Sequence, residues 1–187
     1  MNRSPVQLRS VVEDDASQLA ELWADILRRA DALDQVEDIR RLIKQVQADP
    51  DERIVVAEYD GQLAGAIFLR LATITPINLE PVVQAVSPHV FPQFRRHGVG
   101  RALMDAAVCY AEELGIGHVA SGSVSTSRDG NRFLARLGLG PQVILRVAPT
   151  HAVRAKLMAQ RPSARGSRQL DRVLASRRVL RRERATG

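Results

Sequence analysis

The sequence predicts a mixed α/β fold: one largely antiparallel sheet of about six to seven strands, with helices on both faces. Three observations carry this. Apolar patterning switches between period two and period 3.6 in the order βααβββαβαβ. Asp60-Gly61 separates two apolar runs, a strong signal for an antiparallel hairpin. An apolar strand through Val90 runs into a glycine-containing turn and then a long amphipathic helix beginning near Val99. At 187 residues, one domain with a sizeable core is expected.

Residues 6 to 11 alternate as a first strand. Glu13-Asp14-Asp15 then suit a helix N-terminus. Leu19, Leu22, Trp23, Ile26 and Leu27 recur at helical spacing, with Trp23 read as core. An acidic connection from Asp31 to Asp38 leads to a second helix through Ile39, Leu42, Ile43 and Val46, ending near Asp49-Pro50. Residues 53–59 and 63–74 form the hairpin, with Gly65 marking a bulge.

Residues 82–90 are the next strand. Pro88 and Pro92 flank His89-Val90-Phe91, and proline cannot donate to a ladder. The sheet should be interrupted there, leaving backbone groups of Val90 without a strand partner. Helix three presents Val99, Leu103, Ala106, Ala107, Tyr110, Ala111 and Leu114, and Gly115 and Gly117 end it. Cys109 within it reads as a packed small residue. A strand begins at His118, and Ser125-Thr126-Ser127 caps a helix reaching Leu137. Residues 142–147 are the expected last strand.

The character changes near Pro149. Val153, Leu157 and Met158 suggest a short helix, Arg161 to Ser167 reads as a linker, and Leu170, Val173, Leu174 and Leu180 suggest one more, basic helix. The expected division is a folded domain over 1–148 and a basic C-terminal extension over 149–187, helical or disordered. The net charge of +6 belongs to that extension. The chain holds 27 basic and 21 acidic residues, of which 11 basic and 2 acidic lie after Thr150. The remaining 16 basic and 19 acidic residues make the domain mildly acidic. The few aromatics argue against a base-stacking nucleic-acid surface. A nucleic-acid, ribosomal or other acidic partner would fall to the tail, whose blander reading is disorder or a helix packed on its own domain or on a homodimer mate.

One cysteine allows no internal disulfide. No signal peptide or membrane-spanning apolar run is read, so the expectation is a soluble, cytoplasmic protein without a membrane partner. No His/Cys/Asp/Glu spacing suggests a metal site.

Gly98 and Gly100 frame the start of helix three, where free N–H groups and the positive dipole end meet Arg95 and Arg96. Such a turn is an anion site, most naturally for a pyrophosphate. Val90, Pro92, Arg95, Gly98 and Gly100 fill the pattern Val-x-Pro-x-x-Arg-x-x-Gly-x-Gly, and Asn131 to Leu139 supply a second segment. Together these resemble the GNAT superfamily of acyl-CoA-dependent N-acetyltransferases, over roughly residues 6 to 148.

The resemblance implies acetyl-CoA as acetyl donor and a primary amine of a small molecule, peptide or protein as acceptor. It implies that the pantetheine arm pairs with the backbone at Val90. Backbone amides of residues 96 to 101, covering Arg96, His97, Gly98, Val99, Gly100 and Arg101, would surround the pyrophosphate, with Arg95 or Arg96 adding charge. Ser127 stands where the family often has an Asn. The first two helices would cover the acceptor site, where Asp31, Asp34, Glu37 and Asp38 either attract a cationic amine or form a solvated face.

The catalytic acid and base are not assigned. The family's usual Tyr position is Leu134, which cannot protonate a thiolate. Strict alternation puts Gln84, Val86 and Pro88 on the face of Val90, and none of them titrates near neutral pH. His89 points the other way unless the prolines break the alternation. His97 reads as a phosphate neighbour or a surface residue, and His118 and His151 have no evident partner. Either water relays the proton, or a residue from an unidentified loop does. The alternative function is a non-catalytic acyl-CoA-binding module acting through its arginine-rich tail.

Overall fold

A computed structural model describes residues 6–122, 127–142 and 145–160. The chain divides into two compact units, 1–140 and 141–187. In the first, strands β1 (Gln7–Ser10), β2 (Glu52–Tyr59), β3 (Gln62–Thr73), β4 (Pro81–Val90) and β5 (Val119–Ser121) form one sheet in the order β1-β2-β3-β4-β5. The first four are mutually antiparallel and β5 joins β4 in parallel. Helices α1 (Ala16–Leu22) and α2 (Ala32–Ala48) cover one face, where Leu19, Trp23, Ile39 and Ile43 pack on Ile54, Val56 and Ala66. Helices α3 (Val99–Glu113) and α4 (Arg128–Arg136) lie with the other face, where Leu103, Ala107, Tyr110 and Leu134 meet Ala57, Ile67, Leu69 and Val83. With both faces covered, Ile54, Val56, Ala57, Ile67 and Leu69 are all buried.

The described residues hold five strands, fewer than the six to seven expected. Residues 143–144 of the expected last strand lie outside the described residues. Gln142 and residues 145–147 are not strand, and Leu145 and Val147 are exposed. Pro141 opens this run, and it falls in the second unit rather than with the sheet. That unit contributes α5 (Thr150–Ala159), and the expected basic helix beyond Arg161 lies outside the described residues. Helix one is shorter than its apolar spacing suggested. It closes at Leu22 and continues as turns through Leu27, because Ile26 projects into solvent. Cys109 is exposed rather than packed, since it falls off the buried stripe of Leu103, Ala107, Tyr110 and Ala111.

Asp60 and Gly61 both have positive φ, 51° and 70°, and close the Tyr59–Gln62 pair as a two-residue turn. The register slips beside it. Ala57 faces Gly65 while Glu58 faces Leu63, so Ala64 is the extra residue of a bulge. Gly115 ends α3 in the left-handed conformation, with the Gly115 and Ile116 N–H groups donating back to the Glu112 and Ala111 carbonyls.

The acidic cluster after β1 has one structural member. Asp15 is buried and accepts two hydrogen bonds from Arg9, at 2.7 and 2.8 Å, and one from the Val12 N–H at 2.8 Å. Burial pushes its carboxyl up, but the Arg9 and Val12 hydrogen bonds outweigh burial, and the net displacement is downward. A carboxyl lowered by folding adds stability above the ordinary range near ~4 and loses it as pH falls through the folded value. Asp15→Asn should therefore cost about 2 kcal/mol at neutral pH, less than a fully buried pair because Arg9 is 34% exposed. It should also flatten the acid limb of stability in urea unfolding at several pH values.

Candidate functional site

The site is built where β4 leaves the sheet. Ala66 faces His89 and Phe68 faces Val86, so Ile67 is opposed by both Ser87 and Pro88. This is a bulge, and Ser87 takes a left-handed φ of 49° within it. The bulge absorbs the missing N–H of Pro88 and resets the alternation. Val86, opposite Phe68, and His89, opposite Ala66, share the face of α1 and α2. Val90 packs on the α3 side. The expectation that Gln84, Val86 and Pro88 share a face with Val90 is thus corrected by one inserted residue.

Across the Gly65–Val90 pair, Phe91 N–H donates to the Ala64 carbonyl at 2.9 Å. This is the pattern of a pair whose own polar groups point away from each other. The N–H and C=O of Val90 therefore face away from β3. On that side β5 pairs only with Val83, Gln84 and Ala85. Among the described residues, the β4 edge at Val90 is open to an added extended segment.

Pro92–Phe94 make one 3-10 turn, Arg96 follows with φ 66°, and Gly98 caps α3 with φ 89°. The first intrahelical bond runs from Ala102 N–H to the Gly98 carbonyl at 3.0 Å, so the amides of Val99, Gly100 and Arg101 have no partner within the helix. Val99 and Leu103 are fully buried and fix the helix start against the sheet. A Cβ built on Gly98 meets nothing within 4 Å, so no packed neighbour occupies that side of the residue. Gly100 differs. A Cβ there would make ordinary contacts, 3.6 Å to Phe133 and 3.8 Å to Val90. The two glycines therefore differ: Gly98 supplies a left-handed φ, whereas the protein itself leaves room for a Cβ at Gly100.

Arg95, Arg96 and Arg101 are exposed around this cradle. His97 is folded back within the turn: its Nδ1 lies 2.9 Å from the Arg95 carbonyl, and its ring is 4.7 Å from that of Tyr59. Ser127 caps α4, its hydroxyl oxygen accepting the Gly130 N–H at 3.2 Å, which leaves its own hydrogen to donate. Leu134 is a core residue on the α3 face. At the start of α3 the donor set is backbone amides and guanidinium groups, all donors, which suits a phosphorylated ligand.

On the opposite face of β4, the Ser87 carbonyl accepts the Trp23 indole N–H at 3.0 Å and faces His89 Nδ1 at 3.1 Å. His89 Nε2 lies 3.2 Å from one Asp25 carboxylate oxygen and 3.4 Å from the other. Nothing in the sequence marks Asp25, because the turn after α1 carries no pattern. Three of the acids that the sequence did mark are engaged elsewhere. Asp31 caps α2 through the Asp34 N–H, Asp38 is held by Arg28 at 2.5 Å, and Glu37 pairs with Arg40. The Arg28 hydrogen bond lowers the Asp38 carboxyl. The His118 imidazole lies 3.6 Å from Glu80 on the surface.

A groove of about 360 Å³ between α1 and the hairpin turn shares Phe91, Gln93 and Phe94 with the motif but none of residues 96–101. Its Arg9 is already committed to Asp15 and Glu58. Among the described residues no His/Cys/Asp/Glu group could hold a metal ion, and no helix is long and apolar enough to cross a membrane.

The profile of the Acetyltransferase (GNAT) family matches residues 16–139. No curated protein sequence matches the chain. Among solved structures, a transcriptional regulator from Bacillus halodurans C-125 superposes with a TM-score of 0.66 at 18% identity, over 78% of this chain and 100% of that one. An aminoglycoside N-acetyltransferase in complex with CoA gives 0.65 at 16% identity, over 80% and 97%. A ribosomal-protein-alanine N-acetyltransferase from Brucella melitensis biovar Abortus 2308 gives 0.58 at 19%, over 78% and 99%. At these identities the likeness to the solved structures is one of fold.

Proposed function

Since the chain belongs to the GNAT acetyltransferase family, we propose that it is an N-acetyltransferase moving an acetyl group from acetyl-CoA to a primary amine. One observation carries the reading: α3 opens on left-handed Gly98 with the amides of Val99, Gly100 and Arg101 unpaired within the helix, beside the exposed Arg95, Arg96 and Arg101. In this reading the amides of residues 96–101 hold the pyrophosphate, Arg95 and Arg96 add charge, and Ser127 donates its hydroxyl. The outward N–H and C=O of Val90 pair with the pantetheine amides. The catalytic domain is 1–148 and the basic extension 149–187. No observation among the described residues favours a non-catalytic module working through the tail.

Calorimetric titration with acetyl-CoA, then thiol release with an aminoglycoside, an alanine-initiated peptide and n-propylamine, tests the reading. Micromolar binding with amine-dependent thiol release is expected. A chain that binds no acetyl-CoA refutes it. Gly100→Ala separates ligand from packing: the fold should survive intact, because the added Cβ meets only ordinary contacts, so a loss of affinity reports crowding of the ligand.

A further inference from the structure

The groove between α1 and the hairpin turn plays no part in the acetyltransferase reading. Its walls come from β1, α1, β2, the start of β3 and the 3-10 turn after β4. Neither Val90, His89 nor any of residues 95–101 lines it. Its volume of about 360 Å³ is that of a small-ligand site. Charge decides the sign of an occupant. Arg9 gives its Nε hydrogen to Glu58 at 2.6 Å and its Nη1 hydrogens to Asp15 at 2.7 Å and the Ser10 carbonyl at 3.1 Å. Nη2 donates to Asp15 at 2.8 Å. Four of its five N–H donors are thus spent inside the protein, and little is left for an anion. Glu21 is exposed on α1, and its carboxylate has no partner among the described residues. Glu58 uses one oxygen on Arg9 and keeps the other. One positive charge, Arg9, therefore stands against three negative ones, Asp15, Glu58 and Glu21.

We propose that this groove binds a guanidinium group, at a site separate from the one assigned to acetyl-CoA. The carboxylates of Glu21 and Glu58 supply the countercharge. The side-chain amides of Gln18, Gln62 and Gln93 also line the groove and have no partner among the described residues, so their oxygens add neutral acceptors. The rest of the wall is apolar: Leu63 is buried, and Phe91 and Phe94 are half-buried. This mixture separates two kinds of cation. An ammonium is a compact, strongly hydrated charge and gains nothing from an apolar wall. A guanidinium is flat and weakly hydrated, lies against aromatic rings, and presents parallel N–H groups that a carboxylate accepts in pairs. The guanidinium comes either from a free guanidino compound or from an arginine side chain of a peptide. The assignment is independent of the acetyltransferase reading, because Val90 and residues 95–101 take no part in it.

The test is an NMR titration of the isotope-labelled full chain, without acetyl-CoA, using n-butylguanidinium and n-butylammonium as probes. The guanidinium should give saturable shifts at the Gln18, Gln62 and Gln93 side-chain amides, with a Kd of about 1 mM. The ammonium should bind about tenfold more weakly. Glu21→Gln should raise the guanidinium Kd about tenfold, the loss of one charge-assisted hydrogen bond. Glu21 is an exposed α1 residue, and Gln93→Ala, in the exposed turn, gives a second variant with a smaller loss in the same direction. A capped alanine peptide with one central arginine distinguishes the sources. Binding about tenfold tighter than n-butylguanidinium assigns the groove to a peptide arginine, and equal binding assigns it to a free guanidino compound. No saturable shift at the three glutamines overturns the proposal. So does equal affinity for the two cations, or a Glu21→Gln chain that binds n-butylguanidinium as the wild type does. None of these outcomes bears on acetyl-CoA, whose own titration decides the acetyltransferase reading.

Discussion

Gly98→Asp should leave a folded protein that no longer binds acetyl-CoA. Gly98 has φ 89°, where a side chain is strained by about 1 kcal/mol or more. Asp is among the residues that tolerate the left-handed region best. No atom lies within 4 Å of the built Cβ, so there is no clash to add. The residue stands at the N-terminal end of α3, where a negative charge is favoured by the helix dipole by about 0.5 kcal/mol. The fold should therefore change little, within a few degrees in Tm. The ligand site changes entirely. The introduced carboxylate puts a negative charge beside the amides that the pyrophosphate needs, and it repels that anion at short range. Losing about 3 kcal/mol of binding, a Kd raised at least 100-fold, is expected in calorimetry. Gly98→Ala, which adds strain without charge, should lose far less. Equal losses in the two variants would mean that backbone conformation, not anion capture, is what Gly98 supplies.

The parts legible in the sequence are those written in local chemistry. Asp60-Gly61 requires two positive φ values and takes them. The helix α3 stripe and its Gly115 ending follow from spacing and from the one residue at ease with left-handed φ. The glycine turn before α3 was readable because glycine, arginine and a helix start are adjacent in the chain. His89 was harder. Its orientation depends on one inserted residue at Ser87–Pro88, and a one-residue slip reverses every face. The two prolines hinted at a break without fixing its size. Asp25 was not readable at all. Its partner is 64 residues away, and the turn after α1 has no local pattern. Nor was the engagement of Asp38 by Arg28, since a charge run does not say which members are already paired.

Gly65 was marked only as a bulge, yet among the described glycines it stands closest to neighbouring backbone. A Cβ there would stand 2.5 Å from the His89 carbonyl oxygen, 3.1 Å from Val99 Cγ1 and 3.3 Å from Val90 Cα. The first and third of these are backbone atoms, so no rotamer change relieves them. Gly65→Ala must push β4 away from β3 at the Val90 pair, or shift α3 with it. Overpacking of this kind costs about 2–3 kcal/mol. For a chain of this size that lowers Tm by about 5–10 °C in thermal unfolding. Gly140→Ala is the control, since it has open space and no positive φ, and it should be silent. The displaced atoms are also those of the site: the Val90 backbone that offers its N–H and C=O, and the carbonyl of His89. Gly65→Ala should therefore weaken acetyl-CoA binding beyond what its stability loss explains, measured by calorimetry well below the unfolding range. If affinity were unchanged while Tm fell, the β4 edge at Val90 would be structural only, and the pantetheine arm would have to lie elsewhere.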